Sequence, residues 1–119
     1  MVDSKKIVVG SSGDRNEQSK VYQLAANDNP GGVIAQVTFD GDNYDEWAQA
    51  VRMGLRVKKK FGFVDGSITK PGENDADSED WISASSMVSL WILNTIDPKG
   101  RKTLANKEEP EELWKEIKD

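Results

Sequence analysis

The 119-residue chain contains no cysteine and no histidine. Without cysteine there is no disulfide framework, thiol nucleophile or thiolate metal site. Without histidine there is no imidazole base, no histidine-based triad and no ordinary zinc site. No apolar run approaches the ~18 residues of a membrane span, and the first 13 residues lack the apolar core of a signal peptide. The chain therefore reads as soluble and cytoplasmic. Basic side chains are the minority, 16 against 21 acidic, for a net charge of −5. That balance argues against nucleic acid as the main partner. The length suits one domain at most.

Apolar residues are grouped, and their spacing changes along the chain. Residues 1–20 are polar apart from Ile7-Val8-Val9 and include the linker-like Gly10-Ser11-Ser12-Gly13. Such a segment buries too little apolar surface to offset the entropy of ordering, so a disordered arm is predicted. Tyr22 and Leu24 open a short entry segment that ends in the turn cluster Asn27 to Gly32. Val33, Ala35, Val37 and Phe39 share one parity, which predicts a short strand or an extended segment.

The first helix is predicted over residues 44–60. Trp47, Val51 and Leu55 recur at i+4, and Gly54 beside them leaves room for another backbone. Asn43 and Glu46 have capping-box spacing. Asp45 and Glu46 at the start and Lys58, Lys59 and Lys60 at the end complement the helix dipole. Gly62 is the predicted stop. Phe61, Phe63, Val64 and Ile68 mark a loop that folds back over the core. A second helix is predicted over residues 79–96, capped by Asp77 or Ser78, with Trp81, Val88, Trp91 and Ile92 on its apolar stripe. The two helices should pack together through Trp47, Val51, Leu55, Val88, Trp91 and Ile92. Asp97-Pro98-Lys99-Gly100 reads as a terminator, followed by a turn of helix around Leu104. Pro110 suits the first position of a last helix, with Glu109 as an imperfect cap. Its apolar edge, Leu113, Trp114 and Ile117, is expected to be left partly bare, as in a domain cut before its last helices.

No catalytic constellation, cofactor motif or metal site emerges. The acidic run Asp75 to Asp80 fails as a calcium loop. Counted from Asp75, the sixth position holds Asp80 in place of glycine and the twelfth holds Ser86 in place of glutamate. Paired carboxylates on a solvated tip have nothing to raise one pKa selectively. The glycines do not have phosphate-loop or dinucleotide spacing. The four tryptophans have apolar partners at i±3/4, which predicts packing in place of an aromatic cage. The one positive concentration is Arg52, Arg56, Lys58, Lys59 and Lys60. These could touch phosphates, but residues 42–60 sum to only +2, and no aromatic platform is interleaved with them.

Several longer motifs point to a family. They are Tyr22-Gln23-Leu24, Asp28-Asn29-Pro30-Gly31, Gly41-Asp42-Asn43-Tyr44-Asp45-Glu46-Trp47, residues 61–71, residues 91–98 and Glu112-Leu113-Trp114. In this order and spacing they resemble the N-terminal Gag segment of Copia-type retrotransposons of plants, from about Tyr22 to Asp119. The resemblance implies a mostly α, capsid-like helical domain with no enzymatic role. It also implies self-association with other Gag chains around the element's RNA. The family's zinc knuckle lies further along a complete polyprotein and has no counterpart here. Under this reading residues 21–119 are a Copia-like Gag N-terminal domain, truncated at its C-terminal end. The alternatives are a nucleic-acid module using the Arg52 to Lys60 face, a host protein derived from Gag, and an enzyme of unknown type. No membrane or small-molecule partner is expected.

Overall fold

A computed structural model describes residues 21–104 and 106–118, and the predicted arm at 1–20 lies outside them. Five helices that lie wholly within the described residues follow one another: α1 Tyr44–Val57, α2 Gly62–Asp65, α3 Ser78–Leu93, α4 Pro98–Leu104 and α5 Pro110–Lys118. The predicted mostly helical architecture is the one that forms.

Helix α1 buries Trp47, Ala48, Val51 and Leu55 along one stripe and leaves its charged side to solvent. The predicted capping box does not form. The Asn43 side chain makes no capping bond. Its Oδ1 accepts from the Asp40 N–H at 3.0 Å, and its Nδ2 donates to the Thr38 carbonyl at 2.8 Å. It ties the preceding turn instead. The helix also stops before Gly62. The Lys60 N–H donates to the Leu55 carbonyl at 2.8 Å and the Lys59 N–H to the Arg56 carbonyl at 2.9 Å. Lys59 takes the left-handed conformation, φ 61°. This is a Schellman closure with lysine where glycine is usual. Gly62 instead begins α2, where a Cβ would lie 2.5 Å from Cγ1 of Ile68.

The entry segment makes less regular structure than its alternation predicts. It bends at Ile34 and Gln36, and Phe39 alone pairs, in a parallel bridge with Ile96. The Phe39 N–H donates to the Thr95 carbonyl at 2.7 Å, and the Asp97 N–H donates to the Phe39 carbonyl at 3.1 Å. The segment crosses α1 at Gly54, where a Cβ would collide with the Ile34 carbonyl oxygen. The close approach predicted for this glycine is therefore real, and a backbone makes it.

Helix α3 buries Trp81, Ala84, Ser85, Val88, Ser89, Trp91 and Ile92. It ends at Leu93, short of the predicted residue 96, and the predicted terminator Asp97-Pro98-Lys99-Gly100 also opens the helix expected around Leu104. Asp97 Oδ1 accepts from the Gly100 N–H at 2.9 Å, an N-cap bond, and Pro98 takes the first helical position. Helix α5 buries Pro110, Leu113 and Ile117. Its Trp114 stacks on Trp47 with ring centroids 5.2 Å apart and planes 26° apart. Of the edge expected to be left partly bare, Leu113 and Ile117 are thus covered by the chain itself, while Trp114 is half-buried.

Trp47, Val51, Leu55, Val88, Trp91 and Ile92 are each at most 1% exposed and share one core. In backbone terms, α5 lies closest to α2, α3 and α4, so it has a larger part in closing the core than a direct pairing of the two long helices. The buried side chains of those two helices share that core, and the indoles of Trp47 and Trp91 are anchored outside the partner helix. Trp47 Nε1 donates to Thr95 Oγ1 at 2.8 Å, and Trp91 Nε1 donates to the Asn29 carbonyl at 2.8 Å. The Trp81 Nε1 is buried without a hydrogen-bond partner, while the Lys70 ammonium lies 5.1 Å from the centre of its ring.

Candidate functional site

The five cations of the first helix and its closing turn do not share one surface. Lys60 is buried, 6% exposed. The closure of α1 explains this, because a Schellman turn brings the residue after the left-handed one against the last turn of the helix. Burial pushes the Lys60 ammonium pKa down, and the nearby Lys58 charge adds to this against the opposing pull of Asp28. Lys58 Nζ is 2.8 Å from Asp28 Oδ1 and lies over the Trp91 ring at 4.6 Å. Arg56 stacks over Phe61 at 5.4 Å. Arg56 and Lys59 are exposed and Arg52 is half-buried. The expected basic face is therefore divided, with one lysine inside and one paired.

The Asp28 carboxylate is the centre of this cluster, with its side chain 6% exposed. Burial raises its pKa. The bonds from Lys58 and the Ala25 N–H, with the charges of Lys58 and Lys60, outweigh burial and hold it below the usual aspartate range. The arrangement staples the 25–32 loop to the end of α1 and to Trp91. A further bond, from Asn94 Nδ2 to the Pro30 carbonyl at 2.6 Å, fixes the loop to α3. The sequence motif Asp28-Asn29-Pro30 thus has a structural task that its composition alone did not disclose.

The acidic run at 75–80 feeds the start of α3. Asp75 Oδ1 accepts from the Asp77 N–H at 2.8 Å, and Glu79 and Asp80 occupy the first helical turn. Among the described residues, no three His, Cys, Asp or Glu side chains converge as a metal site would require. No described helix is long and apolar enough to cross a membrane.

One unoccupied feature of the described surface is apolar and open. A shallow groove of about 430 Å³ runs between residues 33–37 and the outer side of α1, lined by Val33, Ile34, Ala35, Met53, Gly54 and Val57 among others. Val33, Met53 and Val57 are 68%, 57% and 83% exposed. Sequence reading missed this face. The signal was present in Ala50, Met53 and Val57, a second apolar row at helical spacing beside the Trp47 row.

Residues 25–72 match the family model of the Gag-polypeptide of LTR copia-type. The resemblance drawn from the motifs therefore holds over that stretch. Comparison with curated proteins and with solved structures gives no match. The Gag-matched stretch contains the Asp28 staple, the entry segment, α1, α2 and the whole groove; α3, α4 and α5 follow it.

Proposed function

We propose that this chain is a structural, non-catalytic Gag component of a Copia-type retrotransposon that self-associates with other Gag chains in the cytoplasm toward a capsid-like assembly. The observation that carries the reading is the Gag-polypeptide match over residues 25–72. The helical architecture is consistent with it, and the exposed apolar groove suits contact between chains better than capture of a small polar ligand. RNA contact is secondary in this reading. With Lys60 buried and Lys58 paired, Arg52, Arg56 and Lys59 are left for a weak, salt-sensitive interaction with phosphates.

Sedimentation velocity over a wide concentration range, with electron microscopy of the most concentrated sample, tests the proposal. Reversible, concentration-dependent association is expected. A strict monomer at every concentration would overturn it. Titration with single-stranded RNA at low and high salt separates the second reading. Tight binding that survives high salt would favour a nucleic-acid module.

A further inference from the structure

We propose that residues 21–39 form a strap that two copies of this chain exchange, each strap docking on the other copy's helices to make a two-fold dimer. The proposal rests on the self-association reading and names the contact that serves it.

The strap is held to the helices by partners remote in sequence. The Tyr22 hydroxyl donates to the Thr69 carbonyl at 3.2 Å. Asp28 pairs with Lys58. The Asn29 and Pro30 carbonyls accept from Trp91 and Asn94, and Phe39 bridges to Ile96. The strap's own internal hydrogen bonds stay within the turns of residues 25–32. Its site is therefore built by the helices. A strap from a second copy has the same sequence and makes the same contacts, so the fit of this occupant is already visible within one chain.

The link between the strap and α1 is a short, exposed reversal, Asp40-Gly41-Asp42. Ile34 lies against Gly54 and the Phe39 ring is 5.0 Å from that of Trp47, so the strap runs back along α1 in the opposite direction. Gly41 makes the reversal with φ 102°, a conformation that favours glycine. The bonds that close it are exposed. Asp40 N–H donates to Asn43 Oδ1, Asp42 N–H to Asp40 Oδ1, and Asn43 Nδ2 to the Thr38 carbonyl. Water replaces such bonds on opening at little net cost. Straightening these few residues frees the strap without altering a helix. Exchange of an identical element is a low-cost route to dimers, and a short hinge favours it. A flexibly linked strap competes for its own chain's site at an effective concentration of about millimolar, so exchange belongs to concentrated chains.

The test uses the full chain in two charge-reversed variants. Asp28→Lys and Lys58→Asp each set like charges together, and each alone should hold its strap poorly, whether folded back or exchanged. When the two are mixed, exchange gives a heterodimer in which both straps face an opposite charge. Breaking a buried pair is strongly destabilising, so the dimer association constant of the mixture, from sedimentation equilibrium, should exceed that of either variant alone by at least about tenfold. A dimer made by surface contact alone would gain nothing, because each strap would still meet its own helices.

The hinge gives a second measurement, independent of whether those variants fold. Gly41→Val strains the closed reversal, where a Cβ has open space but the wrong φ, and leaves an extended hinge unstrained. It should raise the dimer association constant at least about tenfold, while inserting Gly-Ser-Gly-Ser after Gly41 should return the chain toward monomer. If the unaltered chain associates but folded variants show no gain on mixing, exchange is overturned while self-association stands. Where a variant stays unfolded even in the mixture, an unchanged association constant for Gly41→Val overturns exchange in the same way. If the unaltered chain never associates, both readings fall.

Discussion

The two long helices are held in opposite ways. Helix α1 separates its faces, with one buried apolar row and charged residues on much of its outer surface. Helix α3 has no charged residue from Trp81 to Leu93, and its exposed positions include Ile82 and Leu90. Periodicity alone therefore orients α1 but leaves several rotations of α3 nearly equal in apolar burial. Polar anchors choose among them. Ser89 Oγ donates to the Glu108 carbonyl at 2.7 Å, Trp91 Nε1 to the Asn29 carbonyl and Asn94 Nδ2 to the Pro30 carbonyl. One helix is placed by what it excludes from water, the other by which buried or bordering polar groups find partners.

Removing the apolar anchor of α1 should have the largest effect. Trp47→Ala takes away a fully buried ring, its stack with Trp114 and the donor to Thr95. Large-to-small changes of this kind cost about 3–5 kcal/mol, a large share of the ~5–15 kcal/mol total of a domain. Urea denaturation should show a severely destabilised or unfolded chain. A loss under 1 kcal/mol would mean that the core is not centred on this residue.

The second test separates contact by backbone from contact by side chain. Gly54→Ala would drive a methyl into the Ile34 carbonyl, and the entry segment would have to lift from α1. Overpacking against a rigid neighbour costs about 1–3 kcal/mol, although alanine is the better helix former by about 1 kcal/mol. Gly72→Ala, where a Cβ meets nothing within 4 Å, serves as the control. Should Gly54→Ala raise the melting temperature, the close approach at Ile34 would be refuted.

These two sites also show what the sequence disclosed. The Trp47, Val51 and Leu55 row and the room at Gly54 were readable because helical spacing is a local property. The family motifs were readable for a similar reason, being contiguous strings. Competition for side chains was not readable. Asn43 has the right type and spacing for a cap, yet Thr38 and Asp40 take both ends of its amide. Asp97-Pro98 follows the end of α3 as expected and also opens α4 three residues earlier than the turn expected around Leu104, because a capping residue followed by proline is equally a beginning. The burial of Lys60 depends on a left-handed lysine, which the rarity of that conformation makes hard to expect. The outer row of Met53 and Val57 was visible in the spacing but was overshadowed by the stronger row beside it.

A smaller effect tests the polar placement of α3. Ser89→Ala leaves the Glu108 carbonyl without its 2.7 Å donor and should cost about 1 kcal/mol. Ser86→Ala, at an exposed position of the same helix, should stay within about 0.5 kcal/mol of the parent. Equal effects at the two serines would remove the distinction drawn between the helices.

The smallest expected change is a gain, and it concerns how α1 ends. Lys59 is the non-glycine residue with positive φ among those described. A left-handed conformation costs an ordinary L-residue roughly 1–2 kcal/mol, whereas glycine adopts it freely. The Lys59 side chain is exposed and belongs to no ion pair of the described chain, so little contact is lost by removing it. Glycine brings its own cost in the unfolded state, since it has more conformational freedom to lose. The net gain for Lys59→Gly should therefore be at most about 1 kcal/mol, seen as a modest rise in melting temperature with unchanged circular dichroism. Lys59→Ala is the sharper companion. It removes the same charge and chain but keeps the Cβ, so it should give no comparable gain. If alanine stabilises as much as glycine, the benefit comes from loss of the lysine side chain, and the Schellman closure of α1 is not where strain resides.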